Sequence, residues 1–128
     1  MPFSLSLLSR DDAAGIIHLA AEGEATAVDF PVGNGAHFDQ LLGHDWNTHC
    51  LLLNLERLSY IDSSAIGWLI VSQKACRTHG GQLVIHSVQP GVRNVLELLK
   101  IGRVVPIADT PAAGRKLFTT KPLAAQTR

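Results

Sequence analysis

Ile61-Asp62-Ser63-Ser64-Ala65-Ile66-Gly67 places a carboxylate and two hydroxyls between two apolar stretches. Upstream, Cys50-Leu51-Leu52-Leu53-Asn54-Leu55 has the short continuous apolar character of a buried strand, and Ala65 to Cys76 is long enough for a packed helix. Asp62 is then the natural N-cap, its carboxylate accepting from the free amides of the first turn. Ser63 follows at the helix entrance, where unpaired amides and the positive end of the helix dipole favour an anion. Two chemistries are open at this point. Asp-Ser-Ser before an apolar run can be plain capping, or it can carry a phosphorylated serine, which adds about 1.5 to 2 negative charges and three acceptor oxygens.

Other reactive combinations are weaker. His37, His44, His49 and Cys50 lie near one another in sequence, yet their spacing matches no compact zinc-ligand pair, so solvated loop histidines are the expectation. A serine hydrolase on Ser63 would need a placed base and a Gly-x-Ser-x-Gly elbow, and neither is visible. Gly33-Asn34-Gly35 and Gly80-Gly81 are too short for a phosphate-cradling loop with its lysine. The sequence calls for no cofactor, no metal and no catalysis. Trp68, next to Gly67 in the same helix, can serve as core or as a partner anchor.

The elements that must position this segment alternate between strand and helix. Phe3 to Leu8 and Gly15 to Ala20 read as a hairpin-like pair turning at Arg10-Asp11-Asp12, followed by a loop from Glu22 to Asn34 and a short helix from Ala36 to Leu42 ending at Gly43. After the strand at Cys50 to Leu55 and a helix from Ser63 to Thr78, His79-Gly80-Gly81 supplies a left-handed stop. A strand at Leu83 to Ser87, a helix opening at Pro90 and a short strand at Val104-Val105 come next. Val92, Val95, Leu96 and Leu99 form one packing stripe on that helix. Thr110 caps a last helix with Pro111 at its first position, and residues 119–128 read as a disordered tail. The order predicts an α/β domain.

Composition narrows the function. At 128 residues the chain is expected to form one domain, residues 1–118, and its eleven basic and eleven acidic residues cancel. No basic surface is present to draw it to nucleic acid or anionic lipid, and no apolar run approaches the roughly 18 residues of a membrane span. Met1 to Arg10 lacks a basic leader and reads as a first strand rather than a signal peptide. Cys50 and Cys76 fall inside predicted elements as reduced thiols, so a cytoplasmic location is expected.

The wider pattern, Leu53 to Gly67, then Thr78-His79-Gly80-Gly81-Gln82-Leu83-Val84-Ile85, then Val92-Arg93-Asn94-Val95-Leu96-Glu97-Leu98, resembles the STAS family and within it the free-standing bacterial anti-sigma factor antagonists. The resemblance runs in good register from Leu51 to Val105. It implies a single STAS-like domain with a mixed sheet of four to five strands and about four helices, mainly on one face. It also implies that Ser63, directly after the aspartate, is the phosphorylated residue. Asp62, Ser63, Ser64, Ala65, Gly67 and Trp68 are then the expected partner-binding set. The implied partners are an anti-sigma serine kinase, bound only while Ser63 is unmodified so that a sigma factor is released, and a serine phosphatase that restores binding. Ala65 departs from the family's usual glycine, and its methyl is expected to narrow a kinase's approach to Ser63. The competing class is a constitutive STAS interaction subunit, for example of an ABC-type lipid transporter, docking by the same helix end without modification.

Overall fold

Leu51, Leu52 and Leu53 are each 0 % exposed, because the strand that carries them is buried on both faces. The computed structural model describes residues 2–26 and 36–119. Its sheet contains β1 (Ser4–Asp11), β2 (Ile16–Ala25), β3 (Cys50–Ile61), β4 (Gln82–His86) and β5 (Ile107–Ala108), in spatial order β1-β2-β3-β4-β5. β1 and β2 form an antiparallel hairpin, and the remaining neighbours pair in parallel. The expected mixed α/β sheet is therefore present with five strands.

Helices α1 (Ala36–Leu42), α2 (Ser63–His79) and α3 (Pro90–Leu98) occupy one face. There Leu51, Leu53 and Leu55 of β3 meet Phe38, Trp68, Leu69, Val92 and Leu96 in the main core. α4 (Pro111–Thr119) covers the opposite face, where Phe118 packs with Ile16, Leu52 and Val84. Thr110 caps this last helix as expected, its hydroxyl accepting from the Ala113 amide at 3.1 Å. Arg115 donates to Asp11 at 3.0 Å, tying α4 to the hairpin, and this bond with that from the Ala14 amide holds the Asp11 carboxyl below its usual range. Among the described residues no helix is long and apolar enough to cross a membrane.

Several elements differ from their sequence-based limits. β3 continues six residues past Leu55 to Ile61, and β2 continues through Glu22 to Ala25, into the stretch expected to be loop. The register between them shifts twice, between Ala20 and Glu22 and between Gly23 and Glu24. Each irregularity inserts a residue, so the core-facing positions of β3 move to three-residue steps at Leu55, Leu58 and Ile61, and strict alternation is lost. Residues 27–34 of the expected loop lie outside the described residues, as do residues 120–128 of the expected tail.

The last strand is Ile107–Ala108 and not Val104-Val105. The amides of Val104 and Val105 both donate to the Ile101 carbonyl, at 2.9 and 2.8 Å, which closes a 3-10 turn over Ile101–Arg103. Sheet pairing resumes only where Ile85 donates to Pro106 at 3.0 Å. Leu99 leaves the packing stripe as well: α3 stops at Leu98, the chain turns at Lys100 with φ 57°, and Leu99 is 52 % exposed.

The paired glycines after α2 have separate causes. Gly80 takes the left-handed cap with φ 93°. Gly81 is required by space, since a Cβ there would run into the carbonyl oxygens of Asn47 and His49. Gln73, 0 % exposed, joins three elements: its amide donates to the carbonyls of Leu83 and Val104 at 2.9 and 3.0 Å and accepts from the Leu83 amide at 2.8 Å.

His86 is 3 % exposed on β4, with Nδ1 2.8 Å from the Ser87 hydroxyl. Burial, followed by the charge of His18, pushes its pKa below 6.5, while Glu56 opposes the shift. The unfolded chain therefore takes up this proton more readily than the folded one. The contribution of His86 to stability is full above the unfolded value near 6.5 and is lost as pH falls towards the lower folded value. Urea midpoints should fall between about pH 7.5 and about pH 5.5, and His86→Gln should flatten part of that slope.

Candidate functional site

Asp62 stands where β3 ends and α2 begins, in extended backbone with φ −112° and ψ −177°. Its amide donates to the Ala25 carbonyl at 3.1 Å, so the end of β2 fixes the point of exit. One carboxylate oxygen accepts from the amides of Ser64 at 3.0 Å and Ala65 at 3.2 Å, which is the expected N-cap. Ser59 of the strand extension donates to Gly23 at 3.2 Å and holds this end of β3 against β2.

The helix geometry divides the expected partner-binding set in two. Ser63 is exposed, Asp62, Ser64 and Gly67 are half-buried, and a Cβ on Gly67 would meet nothing within 4 Å. Ser63 and Gly67, four residues apart, share the outer face. Ala65 and Trp68 turn inward, at 0 % and 2 % exposure. Trp68 stacks on Phe38 with ring centroids 5.1 Å apart and meets Phe3 and His37 edge-on at 5.7 and 5.8 Å, so of its two expected roles the structure places it in the core. It supports the helix from beneath.

The burial of Ala65 corrects the expectation of a steric obstacle. Its methyl belongs to the main core and does not lie over Ser63. Ala65→Gly should therefore lower stability, by about 1 kcal/mol from helix propensity plus the lost packing, and should not alter the rate of the Ser63 phosphorylation that the STAS resemblance leads one to expect. Melting curves and initial phosphorylation rates on the same preparations check both halves.

The structure adds surface residues that the sequence pattern concealed. Val71, four residues beyond Gly67, is 39 % exposed and extends the outer face of α2. Tyr60, 52 % exposed, stands on the strand extension just before Asp62. The polar interruption Glu56-Arg57 hid that extension, and only the spacing of Leu55, Leu58 and Ile61 hinted at it. The histidines do not converge: His44 lies 3.2 Å from Asp39, His49 lies 3.7 Å from Asp45, and His37 packs among the aromatic rings. Among the described residues no group of three or more histidine, cysteine or acidic side chains could hold a metal ion.

The STAS domain family model matches residues 15–114, a span that runs from the turn before β2 into α4. The chain belongs to the STAS family. It is 30 % identical over 94 residues to BtrV of Bordetella bronchiseptica, named as a candidate anti-sigma factor antagonist, covering 70 % of this chain and 81 % of that protein. An anti-sigma F factor antagonist of Paenibacillus polymyxa is 29 % identical over 59 residues, 46 % of this chain and 50 % of that protein. The fold is shared with TM1081 of Thermotoga maritima, with TM-score 0.72, 24 % identity and coverage of 90 % of this chain and 88 % of that one. Unphosphorylated SpoIIAA, an anti-sigma factor antagonist, gives TM-score 0.62 at 20 % identity, over 92 % of this chain and 97 % of that one. In STAS terms, the α2 entrance of this chain presents an exposed hydroxyl, Ser63, beside a capping carboxylate.

Proposed function

We propose that this STAS domain is an anti-sigma factor antagonist that binds an anti-sigma serine kinase while Ser63 is unmodified, releases a sigma factor by doing so, and is switched off by phosphorylation of Ser63. The observation that carries the reading is the arrangement at the start of α2, where Ser63 is exposed while Asp62 caps the helix, Ser64 is half-buried and Ala65 and Ile66 enter the core. Its hydroxyl has no hydrogen-bond partner among the described residues and is open to an enzyme. The relatives named as anti-sigma factor antagonists support the same reading, as does a neighbour of the same fold, SpoIIAA, whose structure is also known in a phosphorylated form.

The cap indicates how a phosphate would act. The Asp62 carboxylate already occupies the amides of Ser64 and Ala65, so a phosphoryl group on Ser63 finds these donors taken and a negative charge alongside. It stays at the surface. The switch then works through charge and desolvation at the contact, with the helix itself unchanged. The domain acts in the cytoplasm as a binding module and not as an enzyme, without a cofactor, and a serine phosphatase returns it to the binding state.

Incubation with the cognate kinase and ATP, followed by peptide fragmentation, is expected to place the phosphate on Ser63 in preference to Ser64. Label that persists in Ser63→Ala would overturn the assignment. A domain that binds its partner equally well whether or not the kinase has acted would instead be the constitutive interaction subunit.

A further inference from the structure

The end of α3 leaves apolar surface uncovered beside positive charge. Leu98 is 81 % exposed and Leu99 52 % exposed, directly before Lys100. Next to them Arg93, Glu97, Lys100, Gly102, Arg103 and Ile107 line an open groove of about 480 Å³. Arg93 is already held by Glu97 at 3.5 Å and Asp109 at 2.8 Å, whereas Lys100 and Arg103 have no acidic partner among the described residues. The left-handed backbone of Lys100, φ 57°, sets this corner at the edge of the groove. The groove also lies away from Ser63. α3 starts beside the middle of β3, where the Gln89 side-chain amide donates to the Glu56 carbonyl at 2.7 Å, and it runs back antiparallel to the strands, away from the β3 end that leads to Ser63, before β5 begins.

We infer that the Leu98-Leu99 corner and the Lys100/Arg103 groove form a second docking surface, separate from the Ser63 face, for an acidic amphipathic segment of a partner protein. Charge selects this occupant. The chain's own residues 120–128 contain Lys121 and Arg128 and no acid, so they are repelled by Lys100 and Arg103. A second copy meeting the same patch across a two-fold axis would bring together two grooves that each carry three cations, Arg93, Lys100 and Arg103, against the one acid Glu97. A bilayer would gain little from two unpaired cations, each worth about 1 kcal/mol near an anionic surface, and would leave the groove unfilled. Glutamates paired with Lys100 and Arg103 and leucines laid over Leu98 and Leu99 satisfy both features at once.

The test uses the full chain and a fluorescein-labelled amphipathic peptide with leucines along one helical face and glutamates elsewhere, followed by anisotropy at low salt. Binding is expected, weakened about tenfold or more in Leu98→Ser and in the double variant Lys100→Glu/Arg103→Glu, and falling steeply as salt is added. All three substitutions lie on exposed side chains, so circular dichroism should match wild type. Ser63→Asp should leave this binding unchanged, which separates the surface from the proposed switch. Equal binding of a lysine-for-glutamate peptide, or no effect of Leu98→Ser, would overturn the inference. So would competition by a synthetic peptide of residues 120–128, self-association abolished by Leu98→Ser, or co-sedimentation with phosphatidylserine vesicles that the acidic peptide does not displace.

Discussion

Ser63→Asp should bind the anti-sigma serine kinase about 5- to 150-fold more weakly than wild type, on the order of 1 to 3 kcal/mol. The reason lies in Asp62. Its carboxylate already accepts from Ser64 and Ala65, so a second carboxylate at position 63 meets like charge and finds both of these amides engaged. It must be desolvated without compensation when a partner covers the surface. Because Ser63 is exposed, the substitution should leave the melting temperature close to wild type, and the loss is then a property of the contact. Ser63→Ala keeps the surface neutral and should bind as wild type does. Calorimetry of the three proteins against the kinase checks the series, and equal affinity for wild type and Ser63→Asp would favour a constitutive module over a switch.

Gln73→Leu should cost about 3 kcal/mol or more of folding stability although leucine is apolar and of similar volume. The Gln73 amide is buried and serves three backbone groups, the Leu83 amide and the carbonyls of Leu83 and Val104. Leucine leaves those groups in the core without their partner, at about 1 to 3 kcal/mol for each unsatisfied group. The expected signature is a lower urea midpoint with an unchanged slope. A loss below about 1 kcal/mol would mean that neighbouring groups or water take over all three bonds. The same bonds connect α2 to β4 and to the turn before β5, so this clamp also helps hold the helix that presents Ser63.

Much of this was legible along the chain. Cys50 to Leu55 announced a buried strand by composition, Asp62 announced a cap by type and place, and Gly43, Pro90 and Thr110-Pro111 marked helix ends through local backbone chemistry. Such signals act within a few residues, and the structure keeps them. The strand extensions were not legible, because two register shifts replaced alternation by three-residue steps and Glu56-Arg57 interrupted the apolar run. Val104-Val105 had strand-like side chains, but their amides were claimed by the Ile101 carbonyl. Leu99 fitted the helical stripe until the helix ended one residue earlier.

By itself, then, the sequence determined the order of elements, the cap at Asp62 and the placing of Ser63 at a helix start, since each depends on short-range backbone geometry and side-chain type. Only the tertiary structure decided which residues around Ser63 face solvent. Ala65 and Trp68 stand two and five residues after Ser63 and Gly67 four, yet the first two point at the sheet and at Phe38, and Gly67 points outward. That division follows from how α2 is rotated against β3 and α1, which is fixed by packing among residues distant in the chain. The exposed corner at Leu98 and Leu99 has the same origin: an apolar side chain is buried only if another element arrives to cover it, and among the described residues none does.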